Sequence, residues 1–164
     1  MSFELQLKSI FKRMIERFTK KPLREDLKLC AGETIKMITV RSRLGYGVKK
    51  TGAKKEKFAP LKESTIRRRK QMGLHPATSP GKSNITATGE MLFSMRIKDF
   101  TDTSVTIGPT GGRDDGKDNE DVGAYTEAGS RNRAPRPFLN LHDLDLKKLQ
   151  RFYEKLLQRG LKKV

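Results

Sequence analysis

Four cations packed onto little more than one helical turn, Arg67, Arg68, Arg69 and Lys70, form the densest positive spot in the sequence. Guanidinium and ammonium groups in such a cluster bind phosphates or carboxylates, or simply face water. The opposite chemistry sits in GPTGGRDDGKDNED, where Asp114, Asp115, Asp118, Glu120 and Asp121 bring carboxylates close together. They lack the alternate spacing, central Gly and terminal Glu of a calcium loop, and a Gly-rich insert gives Mg²⁺ no rigid scaffold, so metal-assisted hydrolysis is not expected. GYGVKKTG, from Gly45, lacks both the preceding apolar strand and the G-K-[ST] ending of a phosphate-binding loop. His75 lies in LHPATSPGKSN with no Ser, Cys or acidic partner at a recognisable motif spacing. The single Cys30 and two His give no metal-ligand spacing and no intramolecular disulfide. These residues point to binding and assembly rather than to an enzyme, with no metal or cofactor.

Charge is the largest compositional anomaly. The 164 residues carry a formal net charge of +17, and it is unevenly placed. Residues 41–98 hold 15 basic and 3 acidic side chains, whereas 99–130 hold 2 basic and 8 acidic. Basic stretches of this kind bind nucleic acid through counterion release, or complement the acidic segment of a neighbour. No helix-turn-helix, zinc-finger or RNP-like aromatic pattern supports base readout. Hydrophobic residues make up 34% with no Trp, which is apolar-poor for a free-standing globule and suggests further burial between subunits. No stretch approaches the roughly 20 apolar residues of a membrane span, and MSFELQLKSIFKRM lacks the unbroken apolar run of a signal peptide.

The elements that must hold these residues read as α+β: N-terminal helices and a C-terminal helix packed on a small, mostly antiparallel sheet in one domain, 1–164. Phe3, Leu7, Ile10, Phe11, Met14 and Phe18 fall at helical spacing after Ser2. A second helix starts near Pro22, carries Leu23, Leu27, Cys30, Ala31, Thr34, Ile35 and Ile38, and is closed by Gly45; Cys30 is one tooth of that apolar stripe. Residues 45–58, with three Gly and five Lys, read as a flexible loop, and so does 110–121. Pro60 opens a short helix that Gly73 stops. A hairpin is expected over 94–108, and 122–129 reads as a third short strand. Pro135 and Pro137 enforce an extended arm over 131–141 that anchors Phe138, Leu139 and Leu141 in a groove. Asp143 is expected to cap the last helix, with Leu149, Phe152, Tyr153, Leu156 and Leu157 as its stripe and Lys162 and Lys163 at its C-terminal end.

Four pieces then recur in a recognisable order: FAPLKESTIRRRK at 58–70, TATGEML at 86–92, YTEAGS at 125–130 and APRPFLNL at 134–141, ahead of a C-terminal amphipathic helix. In this the chain resembles the phage virion morphogenesis, or tail-completion, family, related to minor tail and neck proteins of long-tailed phages. A longer acidic insert before Tyr125 and the Lys-rich 45–58 segment depart from the family pattern. The resemblance implies a mixed helix-and-sheet subunit that assembles in the host cytoplasm into a homo-oligomeric ring of about six. Such a ring belongs to the neck or tail of the virion, around the DNA path, and touches the head-tail connector, the tail terminator or the tube. Alternatives are a tail terminator, another minor tail protein, or a non-specific DNA-binding protein. Beside it stand two site expectations: Pro135, Arg136, Pro137, Phe138, Leu139 and Leu141 as the intersubunit arm, and Arg67, Arg68, Arg69 and Lys70 as an electrostatic contact. That cluster would meet genomic DNA or, preferably, a neighbour's 114–121 insert.

Overall fold

A computed structural model describes residues 5–6, 24–72, 81–83, 85, 88–101, 104–129, 131 and 133–161. The chain is α+β, with its helices against small antiparallel sheets. The first apolar helical pattern falls outside the described residues except at Leu5–Gln6, which form a short strand, β1, rather than part of a helix. Helix α1 (Arg24–Arg43) follows, with Glu25 and Asp26 in its first turn and Arg41 and Arg43 in its last, the polarity that suits the helix dipole. Leu27, Cys30, Ala31, Thr34 and Ile38 are fully buried along one face, as their spacing predicts. Burial pushes the Cys30 thiol up to about 12, with the Asp26 carboxylate adding to the shift, so the residue is packing and not a nucleophile. Gly45, at φ +88°, ends the helix as expected.

The segment 45–58, read from its composition as a flexible loop, is instead a β-hairpin. Strands β2 (Tyr46–Gly47) and β3 (Glu56–Lys57) pair antiparallel, and Phe58 N–H donates to the Gly45 carbonyl at 2.8 Å. Val48 and Phe58 are buried, so two apolar side chains anchor a segment whose lysines stay in water. Helix α2 (Glu63–Gln71) starts three residues after Pro60, with extended Lys62 at its N-terminal boundary. One helical turn, α3 (Glu90–Phe93), leads into β4 (Met95–Phe100), and β5 (Val105–Pro109) returns beside it, giving the expected hairpin. The sheet order is β1-β5-β4, with a bulge between Ile97 and Asp99. Central β5 is buried along its whole length, which suits a strand covered on both faces.

Two further expectations are corrected. Residues 110–121 form a closed turn: Arg113 N–H donates to the Lys117 carbonyl at 2.9 Å, and Asn119 N–H to the Gly111 carbonyl at 3.0 Å. Residues 122–129 belong to a helix, α4 (Asn119–Ala128), not to a strand. The reason is local: the Asp118 side chain accepts from Glu120 N–H at 2.7 Å and caps the helix, while Glu120 and Asp121 supply first-turn charge. That start overrides the reading of VGAYTEAG as a short strand ending at a Gly turn. The last helix, α5 (Asp143–Leu161), buries Leu149 and Tyr153 in the core shared with α1. At its start Leu144 N–H is shared between the expected Asp143, whose Oδ1 accepts at 2.8 Å, and His142, whose Nδ1 accepts at 3.1 Å. Lys162 and Lys163 lie outside the described residues.

Gly47 makes the docked hairpin testable. A Cβ there would strike both the Pro137 carbonyl oxygen and the Phe58 ring, whereas a Cβ on Gly32, inside α1, would meet nothing within 4 Å. Urea denaturation is expected to show Gly47→Ala destabilised by about 1–3 kcal/mol, and Gly32→Ala stabilised by about 0.5–1 kcal/mol. Equal midpoints for Gly47→Ala and the parent protein would mean the hairpin does not dock against the arm.

Candidate functional site: a cationic groove

The extended arm is where backbone chemistry is most demanding, because residues 136–141 belong to no strand ladder among the described residues and must find partners for their polar groups one by one. Two side chains from distant helices supply most of them. Arg41, 7% exposed, donates from Nη2 to the carbonyls of Phe138 and Asn140, at 2.6 Å each, and from Nη1 to Asp145 Oδ2 at 2.9 Å. From the other side, Glu127 Oε2 accepts the N–H groups of Phe138 at 2.7 Å and Leu139 at 3.2 Å. The 45–58 hairpin completes the set, with Val48 N–H on the Pro137 carbonyl at 2.9 Å and Gly52 N–H on the Leu141 carbonyl at 2.8 Å. Desolvation lowers the pKa of Arg41 and raises that of Glu127; each charge, with Asp145 beside Arg41, partly offsets the other's shift.

This clamp decides where the arm residues go. Phe138, Leu139 and Leu141 lie in the chain's own core, at 0%, 5% and 0% exposure. The three apolar side chains expected at an intersubunit joint are therefore occupied within the subunit, because Arg41 and Glu127 fold the arm back onto it. Pro135 is exposed, and Arg136 and Pro137 are half-buried. The Arg67–Lys70 cluster is likewise divided by its helix. Arg67, Arg68 and Lys70 face outward, Arg67 lying 3.6 Å from Glu63, whereas Arg69 is buried and donates from Nη1 to the Lys82 carbonyl at 2.8 Å. Nor is the acidic insert an idle partner surface. Arg113 holds Asp115 at 3.1 Å, Asp118 caps α4, and Glu120 pairs with Lys98 at 2.7 Å.

Beside the arm lies an open groove of about 580 Å³. Its cations come from three places: Lys62, Arg68 and Arg69 around α2, Arg113 and Lys117 in the insert, and Arg133 and Arg136 in the arm. Asp115 is the one carboxylate among the lining residues. Apolar side chains line it too, with Met91 buried and Leu61, Ile85 and Val122 half-buried, while Tyr125 stands 63% exposed on one wall. Arg136 stitches the walls together, its N–H donating to the Thr126 carbonyl at 2.8 Å and its Nη2 to the Ala59 carbonyl at 3.3 Å. Burial depresses the pKa of Arg69 and of Arg136, and each also feels a second guanidinium, Arg136 acting on Arg69 and Arg133 on Arg136. Like charges held this close are relieved by a bound anion. Sequence reasoning singled out Arg136 but missed Arg41, Glu127, Arg113, Lys117 and Arg133, because their placement depends on contacts made across the fold.

The four sequence pieces quoted above converge on this groove. Leu61 and Arg68 come from the first, Thr88, Gly89 and Met91 from the second, Tyr125 and Thr126 from the third, and Ala134 and Arg136 from the fourth. Among the described residues, no group of three or more His, Cys, Asp or Glu is placed to hold a metal ion, and no helix is long and apolar enough to cross a membrane. Comparison with family models, with curated proteins and with solved structures finds no match to this chain.

The clamp generates two expectations. Arg41→Met keeps the apolar stem but abandons two carbonyls and a partly buried carboxylate, and should cost roughly 3 kcal/mol in urea denaturation. Glu127 has a folded-state pKa above its ordinary value of 4.5. Its linkage contribution to stability is therefore fully present below that value and lost as pH rises through the folded pKa. The stability difference between the parent protein and Glu127→Gln should shift against the parent across that window; a difference that moves the other way would show that the clamp favours the ionised form.

Proposed function

We propose that this chain is a structural subunit of a tailed-phage virion, a tail-completion or neck protein that works in a ring of about six around the DNA path, and not an enzyme. The observation that carries the reading is the convergence just described. The four pieces that give the resemblance lie far apart in sequence, yet each supplies residues to one groove. Separate stretches that line one binding surface form a single functional unit, which a chance likeness spread along the chain has no reason to do.

The chemistry of the groove supports a mechanical role. Its many cations and its single lining carboxylate suit the capture of an anionic surface, and its apolar side chains add area to bury. Leu29, Val40 and Leu44 are exposed along one side of α1, giving a second, apolar surface for a neighbour. A ring subunit meets both its own copies and the components stacked on the ring, and two chemically different surfaces serve these two needs. With the arm's apolar residues buried at home, the exposed apolar face of α1 is the joint between copies, and the cationic groove is left for another component.

A second reading has its own observation. The net charge of +17 and the groove cations also suit a free, non-specific DNA-binding protein. Light scattering on the purified chain separates the two. The ring reading expects an assembled mass near six times the 18.6 kDa protomer. A persistent monomer that binds duplex DNA tightly, with an affinity that falls steeply as salt is raised, would replace it.

A further inference from the structure

The groove also specifies the kind of partner it takes. We infer that it is a docking site for an extended protein segment in which acidic and apolar side chains alternate, supplied by another protein of the assembly. The inference rests on the reading of this face as an assembly surface.

An extended chain points successive side chains to opposite sides, so one set faces down and the other faces out or sideways. The groove is layered to match. Among its lining residues Met91 is buried and Ile85 and Val122 are half-buried, while the cations Arg68, Lys117 and Arg133 are exposed. Guanidinium groups bind carboxylates through paired, parallel hydrogen bonds, which fixes the segment's register as well as its charge. The chain already provides a precedent within the groove: Asp115 sits 3.1 Å from Arg113 Nε and 3.9 Å from Lys117 Nζ.

Nucleic acid fits less well. A double helix displays its phosphates on a convex surface, and a concave site of about 580 Å³ admits one extended chain rather than a duplex. A single strand would enter, yet strand-binding grooves use successive aromatic platforms, and among the described residues Tyr125 is the one aromatic side chain that lines this groove. A second copy of this chain is also a poor donor. Its acidic run at 114–121 is folded into a closed turn, with Asp115, Asp118 and Glu120 engaged in their own subunit.

The test is fluorescence anisotropy on the full chain, with the probes chosen to separate these sources. One labelled peptide alternates Glu with Leu and Val; a second replaces the Leu and Val by Ser; labelled duplex DNA and oligothymidine complete the set. The Glu/Leu/Val peptide should bind at least about tenfold more tightly than the Glu/Ser peptide, because burying even part of two aliphatic side chains is worth that factor. Arg68→Glu combined with Arg133→Glu should weaken it by tenfold or more. Both side chains are exposed, and an unchanged circular dichroism spectrum and melting temperature would confirm the fold. Tyr125→Glu, on the groove wall, is an independent variant that should weaken the same peptide.

Equal binding of the two peptides would overturn the inference by removing the role of the apolar layer. So would DNA binding tighter than peptide binding and lost in the same double variant, since the groove would then be a phosphate site. Light scattering run in parallel keeps the outcomes distinct: a monomer that binds the peptide defeats the ring and not the docking site, whereas a ring indifferent to the peptide defeats the docking site alone.

Discussion

Residues 136–141 belong to no strand ladder among the described residues, and most of the structure is organised around satisfying their backbone. An unpaired N–H or carbonyl buried in a core costs roughly 1–3 kcal/mol, so several in succession would unfold a domain of this size. Arg41 answers with one guanidinium nitrogen on two carbonyls, Glu127 with one carboxylate oxygen on two N–H groups, and the 45–58 hairpin with Val48 and Gly52 on two more carbonyls. These partners come from α1, α4 and β2–β3. Their common dependence on the arm brings together elements that share little else, and it lets Phe138, Leu139 and Leu141 fill the space between them. A buried charge pair of this sort is costly to desolvate and is weak evidence for stability; its value lies in fixing one conformation of an otherwise irregular segment.

The groove is a consequence of the same arrangement. With the arm's apolar side chains turned inward, Arg133 and Arg136 remain on the outer side, where they meet Arg68 and Arg69 from α2 and Arg113 from the acidic insert. That a cationic surface includes residues from the most acidic stretch of the sequence follows from local pairing. Asp118 is engaged by the α4 cap and Glu120 by Lys98, so of this stretch's acidic side chains Asp115 lines the groove, beside Arg113 and Lys117. Charge counted along a sequence therefore misjudges the charge a surface displays, because short-range pairs cancel before the surface is assembled.

What the sequence determined by itself are the features set by local geometry. The stripe of α1, the burial of Cys30, the end of that helix at Gly45, the hairpin of β4 and β5 and the amphipathic last helix follow from side-chain period, caps and turn residues, which act within a few positions. The helix that stands in place of the strand expected at 122–129 is set at the same level, since the Asp118 cap that starts it is a local signal. Tertiary structure alone decided the rest. Composition made 45–58 look mobile, yet Val48, Phe58 and a side-chain-free Gly47 let it dock on Pro137. Proline spacing made the arm extended, but whether its apolar residues faced a neighbour or their own core depended on Arg41, about a hundred positions away. No local pattern records a contact at that separation, because the free energy that fixes it belongs to the pair and appears in neither segment alone.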